Sequence, residues 1–225
     1  MTKLRLIIGR FPVSAAFLAL MSVTTIVLAS LGTAQRQQLL LTSSTNLERL
    51  EHDPLRVLVL SILWESPASF PTLVLPTVLI LALVERRIGS RRALAVVAAG
   101  HVGGTLLTAV GIALGIHAGT LAPNVADAVD VGVSYATYAL VGYAGFLLAG
   151  RARFLFLTPV ALILVSAVAI DRDFTSVGHL FSAVIGIALG LGGFGRREAR
   201  PRLALALIGA ALLVAPLAGW IELRG

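Results

Sequence analysis

The chain has 225 residues, 57% of them hydrophobic and only 13% charged, about half the charged fraction of an ordinary soluble domain. A soluble core cannot bury that much apolar surface, so a soluble enzyme, a disordered chain and a collagen-like or low-complexity chain are excluded. The net charge of +7 would suit nucleic acid, but in a membrane protein basic residues more often set topology. With no cysteine, disulfides, thiolate nucleophiles and Cys-ligated metals are excluded as well.

Seven windows free of Asp, Glu, Lys and Arg reach the length that crosses a bilayer as a helix, about 17 to 25 residues. The first, Phe11–Leu31, follows Lys3, Arg5 and Arg10. Its 21 residues exceed the usual 7 to 15 or so of a signal-peptide core, so it reads as a retained helix. The longest loop, Gly32–Pro67, carries a polar stretch over Gln35–Gln38 and a mixed-charge stretch over Asn46–Asp53. Inside it a ten-residue apolar run, Leu55–Trp64, ends at Glu65 and is too short to span, so it reads as interfacial or re-entrant. Ala68–Val84 comes next, with Pro67, Pro71 and Pro76 about its start. Pro76 lacks a backbone donor and predicts a kink there. Ala93–Ile116, Val131–Ala149, Phe154–Ile170, Phe174–Phe194 and Leu203–Ile221 complete the set. The pattern predicts an all-α polytopic membrane protein, with residues 1–225 as a single transmembrane domain.

The connections sort the charge. Lys3, Arg5 and Arg10, Arg86, Arg87, Arg91 and Arg92, Arg151 and Arg153, and Arg196, Arg197, Arg200 and Arg202 fall on one side, with only Glu85 and Glu198. Those 13 basic and two acidic residues give +11; the other side has five basic and nine acidic residues, giving −4. By the positive-inside rule the N-terminus is cytoplasmic and the C-terminus extracytoplasmic. The basic residues are thus taken up by orientation and anionic lipid, so the partner expected is the lipid bilayer, with no nucleic acid.

Polar side chains inside a bilayer are costly and are default candidates for function. Two histidines qualify, His101 and His179. The span beginning at Val131 runs inward, and Ser134 lies four residues beyond Asp130, about 6 Å along a helix. The span beginning at Phe174 also runs inward, and His179 lies six residues beyond Asp173, about 9 Å. Two parallel helices would present a hydroxyl and an imidazole at similar depth below the outer surface. Such a pair suits nucleophilic catalysis, because the imidazole takes the hydroxyl proton as oxygen attacks a carbonyl and returns it to the leaving amine.

The local sequences carry a resemblance. Gly132-Val133-Ser134-Tyr135 with Tyr138 one turn on, and Gly178-His179 followed by Ser182 and Gly186, are similar to the fourth and sixth helices of rhomboid intramembrane serine proteases. Glu85-Arg86-Arg87-Ile88-Gly89 resembles the turn after the rhomboid second helix, and Leu55-Arg56 falls where a Trp-Arg pair usually sits. The resemblance runs from about Leu55 to Gly190. It implies a rhomboid-like six-helix bundle plus one extra C-terminal helix, with Ser134 as nucleophile, His179 as base then acid, and Tyr138 stacked on the imidazole. It implies no cofactor and no metal.

The sequence also departs from that pattern. The His-x-x-x-Asn that helps hold the oxyanion falls on Thr72 and Pro76 when counted back from Glu85, and Tyr135 replaces the glycine after the nucleophile. An oxyanion donor is worth about 2.7 to 4 kcal/mol. Thr72, the Ser134 N–H or a water would have to substitute, and Tyr135 would crowd the cleft or lend its own hydroxyl. Two functions follow: an endopeptidase cutting transmembrane substrates near their extracytoplasmic ends, or a pseudoprotease binding transmembrane helices without cutting. A transporter using His101 is a third, weaker reading, since no intramembrane acid accompanies it for a proton relay. His101, about 13 Å from the cytoplasmic end of its helix, reads as a structural bond to a neighbouring helix. Asp130 reads as a helix start.

Overall fold

A proline, whose missing N–H costs nothing in a first turn, opens α1 (Pro12–Ser30) in the computed structural model, which describes residues 11–194. The last expected span, Leu203–Ile221, lies outside the described residues. The end of α1 is closed by Arg36, whose Nε donates to the Leu28 carbonyl at 3.2 Å. The long connection after α1 is then built from short helices: α2 (Thr33–Ser43), α3 (Leu47–His52) and α4 (Pro54–Leu60), the last continued by a 3₁₀ turn over Ser61–Leu63. Asn46 caps α3 by accepting from the Arg49 N–H at 3.0 Å. With seven residues α4 is about 10 Å long, and it leaves Leu55 and Val59 80% and 63% exposed. This is the apolar run expected to lie at the interface rather than to span.

The helix α5 (Leu75–Ile88) is preceded by a π-helical turn over Phe70–Val74. The expected kink at Pro76 takes this form: Pro76 sits in the first turn of α5, where no donor is needed, and the irregular hydrogen bonding falls one turn earlier. A glycine with φ +84°, Gly89, ends α5 and leads into the 28-residue α6 (Ser90–His117). After α6 come α7 (Ser134–Ala144), prolonged by a 3₁₀ turn over Gly145–Leu147, then α8 (Arg151–Asp171) and α9 (Phe174–Leu191). The regular structure among the described residues is thus all helical, and α1, α6, α8 and α9 are each long and apolar enough to cross a membrane. The two remaining expected spans fall on α5 and α7, of 14 and 11 residues, each lengthened by its flanking π or 3₁₀ turn.

In lipid there is no hydrophobic gain from bringing helices together, so close packing and interhelical hydrogen bonds must do the work. The three-helix core of α6, α7 and α9 is built on that basis. Gly186 lets α9 approach α7 until a side chain there would strike the Ala139 carbonyl, and Gly142 does the same toward the Ala183 carbonyl. On α6, Gly100 makes room for Ala139 and Gly104 for the Ser182 hydroxyl. Ser182, fully buried, donates to the Gly100 carbonyl at 3.2 Å. The opposite side of α7 is fixed to α5 by a buried Thr77–Thr137 hydroxyl pair at 2.6 Å. Every residue of α7 from Tyr135 to Ala144 is buried, whereas only 11% of the apolar window of α8 is.

The start of α1 and the α5–α6 junction are tied by Glu85, 3% exposed on the last turn of α5. Its carboxylate accepts from the Val13 and Ser14 N–H groups at 2.9 Å each, the Ser14 hydroxyl at 2.6 Å and the Ser90 hydroxyl at 2.7 Å. One side chain thereby caps α1 and holds the start of α6.

Candidate active site

Ser134 is the first residue of α7, so its N–H and those of Tyr135 and Ala136 have no acceptor within the helix. These N–H groups lie at the positive end of the helix dipole. Gly132, at φ +125°, turns the chain into this start and donates its N–H to the Ser61 carbonyl at 2.8 Å. The Ser134 side chain is half-buried while its neighbours on the helix are buried.

His179 stands in the second turn of α9, a helix capped by Asp173, whose carboxylate accepts from the Ser176 N–H at 2.6 Å. The Tyr138 ring lies over its imidazole, centroids 4.4 Å apart at 37°, and Tyr135 meets it edge-on at 5.7 Å and 80°. The imidazole Nε2 is buried and has no hydrogen-bond partner. Among the described residues no hydrogen bond joins it to the Ser134 hydroxyl. Close packing of α7 on α9 thus brings Tyr138 and Tyr135 to His179 and places Ser134 at the head of the same helix.

A profile of the rhomboid-like protein family matches residues 7–197. The chain belongs to the rhomboid-like family. No curated protein and no solved structure matches the sequence. As a rhomboid-like chain it is a multi-pass membrane protein in a lipid bilayer.

Within this rhomboid-like protein the two buried histidines are held differently. The Nε2 of His101 is 3.0 Å from the Leu58 carbonyl and 3.1 Å from the Ser61 hydroxyl, and its Nδ1 is buried without a partner. A carbonyl accepts only, so Nε2 carries the proton. The imidazole cannot then take a proton from Ser61 through that atom, and this Ser-His contact is an anchor for α4 and its 3₁₀ turn, not a catalytic pair. Among the described residues, no three His, Asp or Glu side chains gather as a metal site.

Tyr135 does not stand in an open cleft. It is 3% exposed and packs on Gly178, where a Cβ would come within 2.6 Å of its ring. Its hydroxyl lies near Thr108 and Asp130 without closing a hydrogen bond. Thr72 turns its hydroxyl back to the Ser69 carbonyl at 3.3 Å.

The polar group that meets the start of α7 is one the sequence marked only as the end of an apolar run, Glu65. Its Oε2 lies 3.5 Å from the Val133 N–H and its Oε1 3.2 Å from the Ser66 N–H. Burial pushes this carboxyl above its ordinary value, partly offset by hydrogen bonds from Ser69, Val133 and Ser66. Asp130, just before this turn, is clamped to the link between α2 and α3: its N–H donates to Ser44 Oγ at 2.8 Å, and its carboxyl accepts from Thr45 Oγ1 at 3.0 Å. Burial pushes it up to about 6. The sequence offered no signal for either contact.

Proposed function

We propose that the protein is an intramembrane serine endopeptidase in which Ser134 attacks a substrate carbonyl and His179 carries the proton. The observation that carries this reading is the His179 Nε2, buried beside Tyr138 with nothing to bond to. A buried unpaired nitrogen costs about 1 to 3 kcal/mol, and a purely structural histidine would be expected to bond a carbonyl, as His101 does. Ring contacts hold the imidazole in place and leave Nε2 free to accept the Ser134 proton, then to protonate the leaving amine. The free N–H of Ser134 at the helix start is the donor available to the oxyanion. The charge asymmetry of the loops puts the N-terminus in the cytoplasm, and the site near the extracytoplasmic face. Substrates are transmembrane proteins, cut near that face.

A second reading, a rhomboid-like protein that binds transmembrane helices without cutting them, is favoured by the missing Ser134–His179 hydrogen bond and by Thr72 and Pro76 in place of oxyanion donors. Reaction of the purified protein with a fluorophosphonate separates the two. The protease reading expects labelling and cleavage of a transmembrane reporter, both lost in Ser134→Ala and reduced at least about 10²-fold in His179→Ala. Cleavage undiminished in those variants refutes it. Absence of labelling in both wild type and Glu65→Gln, with reporter capture that survives Ser134→Ala, favours the binder.

A further inference from the structure

We propose that Glu65 is an inhibitory anion, seated on the start of α7 where the oxyanion of an attacked carbonyl would collect. The inference rests on the protease reading above and concerns how that site is held in check.

The contact is specific to the chain's geometry. Oε2 lies against the Val133 N–H, and a Cβ on Gly132 would stand 3.0 Å from that same oxygen. A side chain there would press on the carboxylate, which would have to give by a few tenths of an ångström. The segment that carries Glu65 is held from both ends. Ser61 accepts the Gly132 N–H through its carbonyl and bonds His101 through its hydroxyl, while Ser69 and Ser66 bond each other at 2.6 Å. Glu65 is thus placed by its surroundings and not by a swing of its own side chain.

The start of a helix holds about half a positive charge, which any anion placed on it neutralises. Attack by Ser134 would generate a negative oxygen beside the next N–H along. Two anions one residue apart repel. A substrate must therefore displace Glu65 or meet it neutral. A buried carboxyl with raised proton affinity is suited to the second.

Glu65→Gln keeps the shape and removes the charge. The rate of fluorophosphonate labelling of Ser134, and of reporter cleavage, is expected to rise by about tenfold or more, with Ser134→Ala in the same background abolishing both. Glu65→Asp, which retains the charge on a shorter stem, is expected to give a smaller gain and serves where the glutamine variant does not fold. An unchanged or lower rate in a folded variant, with Ser134-dependent reaction in the wild type, overturns the inhibitory role and leaves the protease reading intact. Ser134-dependent reaction in neither wild type nor variant overturns both. Reaction in Glu65→Gln alone supports the inference most strongly, since the wild type is then latent.

Discussion

Glu85→Ala removes one carboxylate from four donors. Two are backbone N–H groups in the first turn of α1, and two are hydroxyls, one on α1 and one on the first residue of α6. A hydrogen bond to a charged group contributes about 1.5 to 3 kcal/mol, and a negative charge at a helix start adds up to about 2. The desolvation of a carboxylate that is 3% exposed offsets much of that sum. The hydroxyls can find other acceptors, but the Val13 and Ser14 N–H groups are left facing apolar surroundings. A net loss of about 3 kcal/mol is expected, or roughly 6 to 12 °C in melting temperature for a chain of this size. Glu85→Gln keeps a single carbonyl acceptor and should lose about half as much. Thermal unfolding in detergent measures both, and hydrogen exchange at Val13 and Ser14 should accelerate before that of α6 or α9. An alanine variant that melts within about a degree of the wild type would refute the reasoning that one side chain ties three helices.

Gly186→Ala should cost about 2 kcal/mol or more, because its Cβ cannot fit against the Ala139 carbonyl without parting α7 from α9; Gly111→Ala, with open space around it, should be neutral or gain up to about 1. The comparison, by thermal unfolding, fails if the two variants behave alike. Asp130 binds its proton more tightly in the folded state, so its own contribution to stability should fall as pH rises from about 4 through about 6. Asp130→Asn should remove that contribution, leaving the variant up to about 3 kcal/mol more stable relative to wild type at pH 7 than at pH 4; a difference between variant and wild type that stays constant over this window would contradict it.

Sequence reasoning located the helices well where an uninterrupted apolar stretch is itself the signal, as in α1, α6, α8 and α9. It also found the windows around α5 and α7, yet not how they are made. Whether Pro71 and Pro76 kink a helix or head one depends on where the hydrogen bonding starts, and composition does not carry that information. At the site, the resemblance pointed to Tyr138 as the neighbour of His179, since helical periodicity places it one turn beyond Ser134. What stayed illegible were the contacts across the chain to which no motif pointed. Glu65 reaches Val133 over a separation of 68 residues, and His101 reaches Leu58 and Ser61 over 43 and 40. Thr72 was one of three candidate donors, placed by counting along one helix, and its hydroxyl bonds back to the Ser69 carbonyl one turn earlier, a local contact that spacing alone does not show.

The bareness of α8 has a consequence for how such a chain can change. For α7 and α9 to run in the same direction, something must carry the chain back across the membrane between them, and α8 does this while touching little of the core. Its role is that of a return cable, specified by hydrophobic length and by its two ends rather than by which side chains it carries. An unrelated apolar helix of equal length, joined between Gly150 and Asp173, should serve the same route. The buried contacts that fix the core are thus concentrated on its neighbours, and substitutions that keep α8 apolar and of the same length should cost the least.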